Sequence, residues 1–459
     1  MTCGKIFWIL FKVLIIVSEA EVSDISRVVV GLSGGVDSAV AAYLLKKQGY
    51  QVIGVTLRTW EAGSGAYSRC CDISDARAVA MQLEIPFYNI NCLPEFREHV
   101  TEPFADAYMN GLTPNPCVAC NRYIKWERML RFADEINAEY IATGHYARIV
   151  KTENGRYTVK QAAFAAKDQT YMLYQLTQEQ LERTLMPLAE LTKDEVRHIA
   201  EEAGLAVAGK QDSQEICFVL EGGYAEYIEA HVDRALPPPG NFVDESGKVL
   251  GQHKGIVNYT VGQRKGLGLA LGYPAYVKRI DAKNNTVVVG DLDSVFESRI
   301  LCKDVRFMAI DDIKKGEKLR AFVKIRYHHA AAPAVLERVD DNTISAIFDE
   351  PVKAPAPGQS AVFYDSENRV IGGGIIQQYQ YMEVTMDIYE EIDLSGCPFC
   401  GGAGFLDDGN GWCWTVTCMD CGSQTGEFAY NSPEEREVAA RRAAYVWNIG
   451  KVIRSDLGE

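Results

Sequence analysis

Three sets of residues in this 459-residue chain have types and spacings that could do chemistry. The first is Ser33-Gly34-Gly35-Val36-Asp37-Ser38. Gly34 and Gly35 let a backbone approach a ligand closely, and the free amides of a helix start attract anions. Ser33 and Ser38 add hydroxyl donors, so the turn suits a phosphate. Asp37 is out of place beside a phosphate unless it holds a metal ion or caps the helix. The second set is Cys117, Cys120 and Cys217. A lone cysteine is most often a small buried apolar residue. That reading fits Cys92, Cys302 and Cys70-Cys71, but fits Cys120 poorly. The stretch Thr113-Pro114-Asn115-Pro116-Cys117-Val118-Ala119-Cys120-Asn121 carries two prolines. They hold it out of helix until Asn121 can cap the next one, and a thiol at a helix start tends to be reactive. The third set is Cys397, Cys400, Cys418 and Cys421, two CxxC knuckles with 17 residues between Cys400 and Cys418. This spacing suits a structural zinc site of four thiolates, with Cys413 a bystander. Two redox-active CxxC pairs are the alternative.

Elements must hold these residues in place. Val28-Val29-Val30 reads as a fully buried parallel strand, and Ala39–Leu45 as the helix after the turn. Gln51–Leu57, Ile85–Ile90 and Tyr140–Thr143 read as further strands. Asp75–Leu83, Phe96–Asn110 and Asn121–Ile136 read as helices, and a helical pattern runs from Gln178 to Ala203. Strands alternating with helices predict an α/β, doubly wound parallel sheet, with the ligand beyond the strands' carboxyl ends. Leu57, the Gly-rich turn and Gly144-His145 then share one rim. Pro237-Pro238-Pro239-Gly240 is a break. Short strands in Gly-rich text follow to about Gly290, predicting a small mixed or β domain. Alternating runs such as Leu319–Ile325, Thr343–Phe348 and Ser360–Tyr364 predict a small antiparallel barrel. The expected division is 1–26 as a leader, 27–225, 226–292, 293–386, and a zinc ribbon over 393–452.

Bulk charge is −15, which taken alone argues against nucleic acid. Its distribution reverses that. Glu383–Glu459 holds 14 acids against 5 bases, a net −9, so only −6 is spread over the rest. Local basic patches are therefore affordable. His253-Lys254, Arg264-Lys265, Lys278-Arg279 and Arg326-Tyr327-His328-His329 are such patches, suited to a phosphate backbone, with aromatics that could stack on an unpaired base. Ordinary solvated charge is the bland alternative. Thirteen cysteines in CxxC pairs and isolated positions indicate metal or redox chemistry in a reducing compartment. The apolar run Ile6–Val17 is too short for a confident membrane span.

The turn resembles the PP-loop of ATP pyrophosphatases, which split ATP between its α- and β-phosphates. No Gly-Lys-Ser/Thr follows, so it is not a Walker loop. Further strings occur in order: TPNPCVACN, Ala142-Thr143-Gly144-His145-Tyr146-Ala147-Arg148, Lys167-Asp168-Gln169-Thr170-Tyr171, Asp212-Ser213-Gln214-Glu215-Ile216-Cys217-Phe218, GQHKG and YTVGQRKG. Together, over about Arg27–Met382, they resemble the tRNA-specific 2-thiouridylase family.

That resemblance implies roles. Gly31, Leu32, Ser33, Gly34, Gly35, Val36, Asp37 and Ser38 would bind ATP, with Leu57 and Gly144 near the nucleotide and Mg²⁺ on the phosphates. Cys217 would carry a persulfide delivered by a sulfur-relay protein, and Cys120 would release the sulfur by closing a Cys120–Cys217 disulfide. Asn115, Pro116 and Cys117 would face the target base. His145, Lys167, Asp168, Gln169, Arg326, Tyr327 and Gln359 would contact tRNA. Many family members have Asp at the position of Cys117. With Cys117, the three thiols could instead hold an iron–sulfur cluster. The tail resembles the Lar-type zinc ribbons, which the family does not normally carry. A cytoplasmic monomer that does not engage a membrane is expected. The competing readings are another PP-loop adenylylating enzyme and a non-catalytic tRNA-binding protein.

Overall fold

Three consecutive valines cannot alternate between core and solvent, so their strand needs cover on both faces. In the computed structural model, β1 (Arg27–Gly31) has that cover. Val28 and Val30 enter one core with the helices Val36–Lys47 and Lys193–Glu202. Val29 enters the opposite core with Trp126, Met129 and Ile141. The structure describes residues 26–60, 73–211, 216–219, 223–378, 392–408, 413–430 and 433–453. Ile6–Val17, Cys70-Cys71 and Asp212–Glu215 lie outside the described residues. The chain divides into two units, Met1–Gln378 and Tyr379–Glu459.

β1 pairs in parallel with β2 (Gln51–Arg58) on one side, and β3 (Phe87–Asn91) lies beyond β2. On its other side is β4 (Tyr140–Ala142). After the hairpin β5 (Ala147–Lys151) and β6 (Tyr157–Gln161), the short β7 (Thr184–Leu185) pairs in parallel with β4. The sheet order is β3-β2-β1-β4-β7. The chain winds outward through β2 and β3, then returns to the far side of β1. That reversal opens a crevice at the carboxyl ends of β1 and β4, where open α/β sheets bind ligands.

Three helix expectations change. The helix expected over Phe96–Asn110 begins at Leu93 and contains a π-turn, Arg97–Thr101. The pattern from Gln178 to Ala203 is two helices, Gln178–Glu182 and Lys193–Glu202, each opened by a threonine capping box. Pro187 lies between them, where its missing N–H and ring prevent a continuous helix. Asn121 does not cap a helix. Asn115 does, accepting from Cys117 N at 3.1 Å, and Pro116 takes the first helical position that suits its fixed φ. Helix Pro116–Ala119 runs on through the π-turn Cys120–Trp126 into helix Glu127–Glu135, so Cys120 lies within a helical run.

A four-stranded sheet follows from Gly240 to Gly290, with one parallel and two antiparallel pairings. His253, expected among basic groups facing phosphate, is buried there beside Phe242 and Tyr259. Six antiparallel strands between Phe296 and Ile376 close into a barrel around Ile300, Val323, Leu336, Ile344 and Phe363. In the second unit, the hairpin Gly404–Asp407 and Cys413–Cys418 packs with helix Pro433–Asn448 around Trp414, Val416 and Trp447.

Candidate active site

The loop after β1 is shaped by two hydroxyls and one glycine. Ser38 Oγ accepts from Ser33 N at 3.1 Å and donates to the Gly35 carbonyl at 3.0 Å. Gly34 sits at φ +73°, a left-handed conformation that favours glycine. Gly35 precedes helix Val36–Lys47 and offers no side-chain cap, so the first amides of that helix are left for a ligand. The run Gly31–Ser38 lines a cavity of about 930 Å³.

Asp37 neither caps this helix nor stands unpaired. Its Oδ1 accepts from Tyr146 OH and from Lys193 Nζ, each at 2.7 Å. Gly144 explains how β4 comes so close. A Cβ built there would lie 2.7 Å from both Asp37 C and Ser38 N, a distance real side chains do not tolerate. Tyr146 belongs to the quoted string around Gly144. Lys193 was missed. Its one sequence signal is a lysine at the first position of a helix, where the dipole disfavours a cation.

The same cavity is lined by Asn115, Pro116, Cys117, Cys120 and Cys217. Cys117 is exposed, and Cys120 and Cys217 are partly so. Cys217 is held by its neighbour. Phe218 is buried among Phe96, Phe104 and Tyr227, with ring centroids 5.7, 5.2 and 5.0 Å away. The Cys117–Cys120 side is braced from the barrel. Gln359 Nε2 donates to the Thr113 carbonyl at 3.0 Å and lies 3.4 Å from that of Pro114. Asn121 Nδ2 donates to the Met172 carbonyl at 3.0 Å, leaving its buried Oδ1 without a partner.

Leu57, Gly144, His145, Lys167, Gln169, Arg326, Tyr327 and Gln359 are also on the cavity wall. Asp168 is not. It is buried and accepts from Thr170 Oγ1 at 2.7 Å, and burial is the main cause raising its pKa. His145 Nδ1 lies 2.9 Å from Thr143 Oγ1. Arg326 donates to the carbonyls of Lys353 and Ala354, and burial lowers its pKa. Tyr327 stands between Tyr171, 6.1 Å away, and the Lys324 ammonium, 5.5 Å from its ring. Among the described wall residues Asp37 is the one carboxylate, against Lys125, Lys167, Lys210 and Arg326. Lys210 pairs with Asp75. The wall is therefore cationic within an acidic chain, which suits a polyanion.

In the second unit, the sulfurs of Cys397, Cys400, Cys418 and Cys421 all lie within 4.8 Å of one another. Cys397–Cys421 and Cys400–Cys418 are 3.7 and 3.4 Å apart. A zinc ion bound tetrahedrally at about 2.3 Å would set sulfurs roughly 3.8 Å apart. The four thiols therefore fit one such ion.

Three family models match the first unit in succession. They are the tRNA methyl transferase HUP domain over residues 26–221, the tRNA methyl transferase PRC-barrel domain over 225–291 and the aminomethyltransferase beta-barrel domain over 297–376. The tRNA-specific 2-thiouridylase MnmA of Lachnoclostridium phytofermentans is 50% identical over 357 residues, covering 76% of this chain and 99% of that protein. The MnmA of Clostridioides difficile is 49% identical over 358 residues, 77% of this chain and 98% of that protein. A phosphate-type loop at a sheet reversal, a wall of thiols and relatives half identical over almost their whole length agree: this chain belongs to the tRNA-specific 2-thiouridylase family.

Proposed function

We propose that the protein is an ATP-dependent tRNA-uridine 2-sulfurtransferase acting on the wobble uridine. The observation that carries this reading is the single cavity shared by the loop Gly31–Ser38 and by Cys120 and Cys217. A uridine carbonyl is a poor electrophile, so its oxygen must first become a leaving group. The 2-oxygen attacks the α-phosphate of ATP and pyrophosphate departs. The loop amides and the nearby lysines hold the triphosphate for that displacement. The terminal sulfur of a Cys217 persulfide then attacks C2. Cys120, as thiolate, attacks Cys217 Sγ and forms a Cys120–Cys217 disulfide. The electron pair released on the outer sulfur stays on the base, and AMP leaves with the former 2-oxygen as the thiocarbonyl forms. A dithiol reductant must supply two electrons to reopen the disulfide. Mg²⁺ would neutralise phosphate charge, and the unengaged Asp37 Oδ2 is a fitting oxygen ligand for it.

Asn115, Pro116 and Cys117 would face the base, with His145, Lys167, Gln169, Arg326 and Tyr327 along the tRNA. The persulfide would come from a sulfur-relay protein, and the setting is cytoplasmic. Among the described residues no helix is long and apolar enough to cross a membrane. The tail thiols would hold one structural zinc ion, which small modules of this kind need in order to fold.

The decisive assay is nucleoside mass spectrometry of tRNA after incubation with ATP and a persulfide donor. Cys217→Ser should abolish 2-thiouridine while leaving tRNA-stimulated pyrophosphate release, because activation precedes sulfur attack. Unimpaired thiolation by that variant refutes the assignment. A second reading rests on Cys117 sharing the wall with Cys120 and Cys217, a three-thiol donor set for an iron–sulfur cluster. Such a cluster would supply an open iron for hydrosulfide. A colourless, iron-free, fully active preparation decides for the persulfide.

A further inference from the structure

We propose that Lys193 is a positioning residue for the nucleotide loop, holding and neutralising Asp37 so that this carboxylate can stand beside a triphosphate. The inference rests on the reading of the cavity as an ATP site. It starts from an anomaly. A carboxylate in a phosphate loop repels the ligand the loop is built to hold. Asp37 is two residues past Gly35, on the cavity wall, with about a third of its side chain exposed. Within its own segment only the partial charge of the helix start acts on it, and the loop carries no cation.

The offset comes from 156 residues away. Lys193 Nζ is 2.7 Å from Asp37 Oδ1, and its side chain is only 12% exposed. A cation so covered is screened little by water, and removing it takes from Asp37 its one full counter-charge among the ion pairs of the described residues. The lysine is also placed against local preference. It occupies the first position of helix Lys193–Glu202, where the helix dipole favours anions. The Thr192–Glu195 capping box fixes that helix start, with hydrogen bonds of 2.8 and 3.1 Å. The helix also shares a core with helix Val36–Lys47, through Val36 and Val40 on one and Val196 and Ile199 on the other. Lys193 therefore approaches Asp37 from a rigid base.

Tyr146 completes the arrangement by donating to the same oxygen at 2.7 Å. Three chain segments meet at Asp37 Oδ1: the phosphate loop, the segment after β4 and the start of the Lys193 helix. Both protein bonds fall on Oδ1, so Oδ2 is the oxygen left to the bound nucleotide and its Mg²⁺. Lys193 is not itself on the cavity wall, so it acts through Asp37 and is no catalytic residue.

The test is equilibrium binding of MgATP, and of metal-free ATP in EDTA, to the full-length protein by calorimetry. It uses wild type, Lys193→Met, Lys193→Arg and the double variant Asp37→Asn/Lys193→Met, each checked for a cooperative melt. Lys193→Met leaves an unbalanced carboxylate facing the triphosphate and should weaken MgATP binding about tenfold or more. Lys193→Arg keeps the charge and should bind within about threefold of wild type. The double variant removes both charges and should recover most of the affinity lost for metal-free ATP, a readout in which Asp37 holds no Mg²⁺. A purely structural role for the lysine would give no such recovery. Wild-type affinity in Lys193→Met, or a double variant no better than the single one for metal-free ATP, overturns the inference and leaves the ATP site standing. Wild-type protein that binds no MgATP overturns both.

Discussion

Gln359, on a loop of the barrel, donates its amide to the carbonyl of Thr113, 246 residues earlier, at 3.0 Å. The resemblance placed Gln359 among tRNA contacts. The structure shows that its side chain also fastens the segment carrying Cys117 and Cys120 to the barrel. Gly358 makes the close approach possible. It sits at φ +90°, and a Cβ there would meet Thr113 N at 2.9 Å. Gln359→Leu should cost about 1 kcal/mol of stability through the lost bond. It should also slow thiolation by about tenfold, because a small displacement of the thiol segment misaligns the sulfur step. MgATP binding, measured by calorimetry, should be unchanged, since the Gln359 side chain bonds to Thr113, Pro114 and Tyr171 and to no residue of the phosphate loop. Equal loss of ATP affinity would show that Gln359 acts on the whole site.

Gly144 should be the least replaceable residue of the loop's surroundings. A methyl group there collides with the Asp37 and Ser38 backbone. Overpacking of this kind costs about 1–3 kcal/mol. If the loop yields, Gly144→Ala should weaken ATP binding by roughly ten- to a hundredfold, with the thiols and the barrel unaffected. Normal ATP affinity in that variant would mean that the loop accommodates the methyl group without losing its grip on phosphate.

The cysteines should separate by reactivity. Burial pushes the Cys92 thiol up to about 11, partly offset by Arg128, and burial raises Cys302 further still. Neither has exposed surface. Iodoacetamide near neutral pH should therefore modify Cys117, Cys120 and Cys217 in the native protein and leave Cys92 and Cys302 untouched until denaturant is added. Peptide mapping by mass spectrometry reads the result. Early labelling of Cys92 would contradict its burial.

His253 should make the central sheet acid-sensitive. Its Nδ1 accepts from Gly255 N at 3.0 Å and its Nε2 faces the Asn285 carbonyl at 3.1 Å, an arrangement that specifies the neutral ring. Burial lowers its pKa from the usual 6.5. A lowered folded-state pKa means stability that is fully present above about 6.5 and lost as pH falls through the folded value. Wild type should thus lose more thermal stability between neutral and mildly acidic pH than His253→Gln does. Parallel pH profiles for the two would exclude His253 as the cause.

Much of this protein was legible before any coordinates. Val28-Val29-Val30 followed by Ser33–Ser38 specified a buried parallel strand, a phosphate-type turn and a helix start, because those are properties of neighbouring residues. That the four tail cysteines gather was equally readable, since two CxxC knuckles each present a pair of thiols, and their sulfurs lie within 4.8 Å of one another. The segment around Cys120 was only half readable. Two prolines announced a stiff turn there, but whether Asn115 or Asn121 capped the helix depended on which side chain had a free amide to bond. Lys193 and Gln359 show what only tertiary structure could decide. Their partners, Asp37 and Thr113, are 156 and 246 residues away. No local propensity encodes a pairing between a helix start and a loop across a sheet. It arises when packing brings two charges, or a donor and a carbonyl, within a few ångströms where water is scarce.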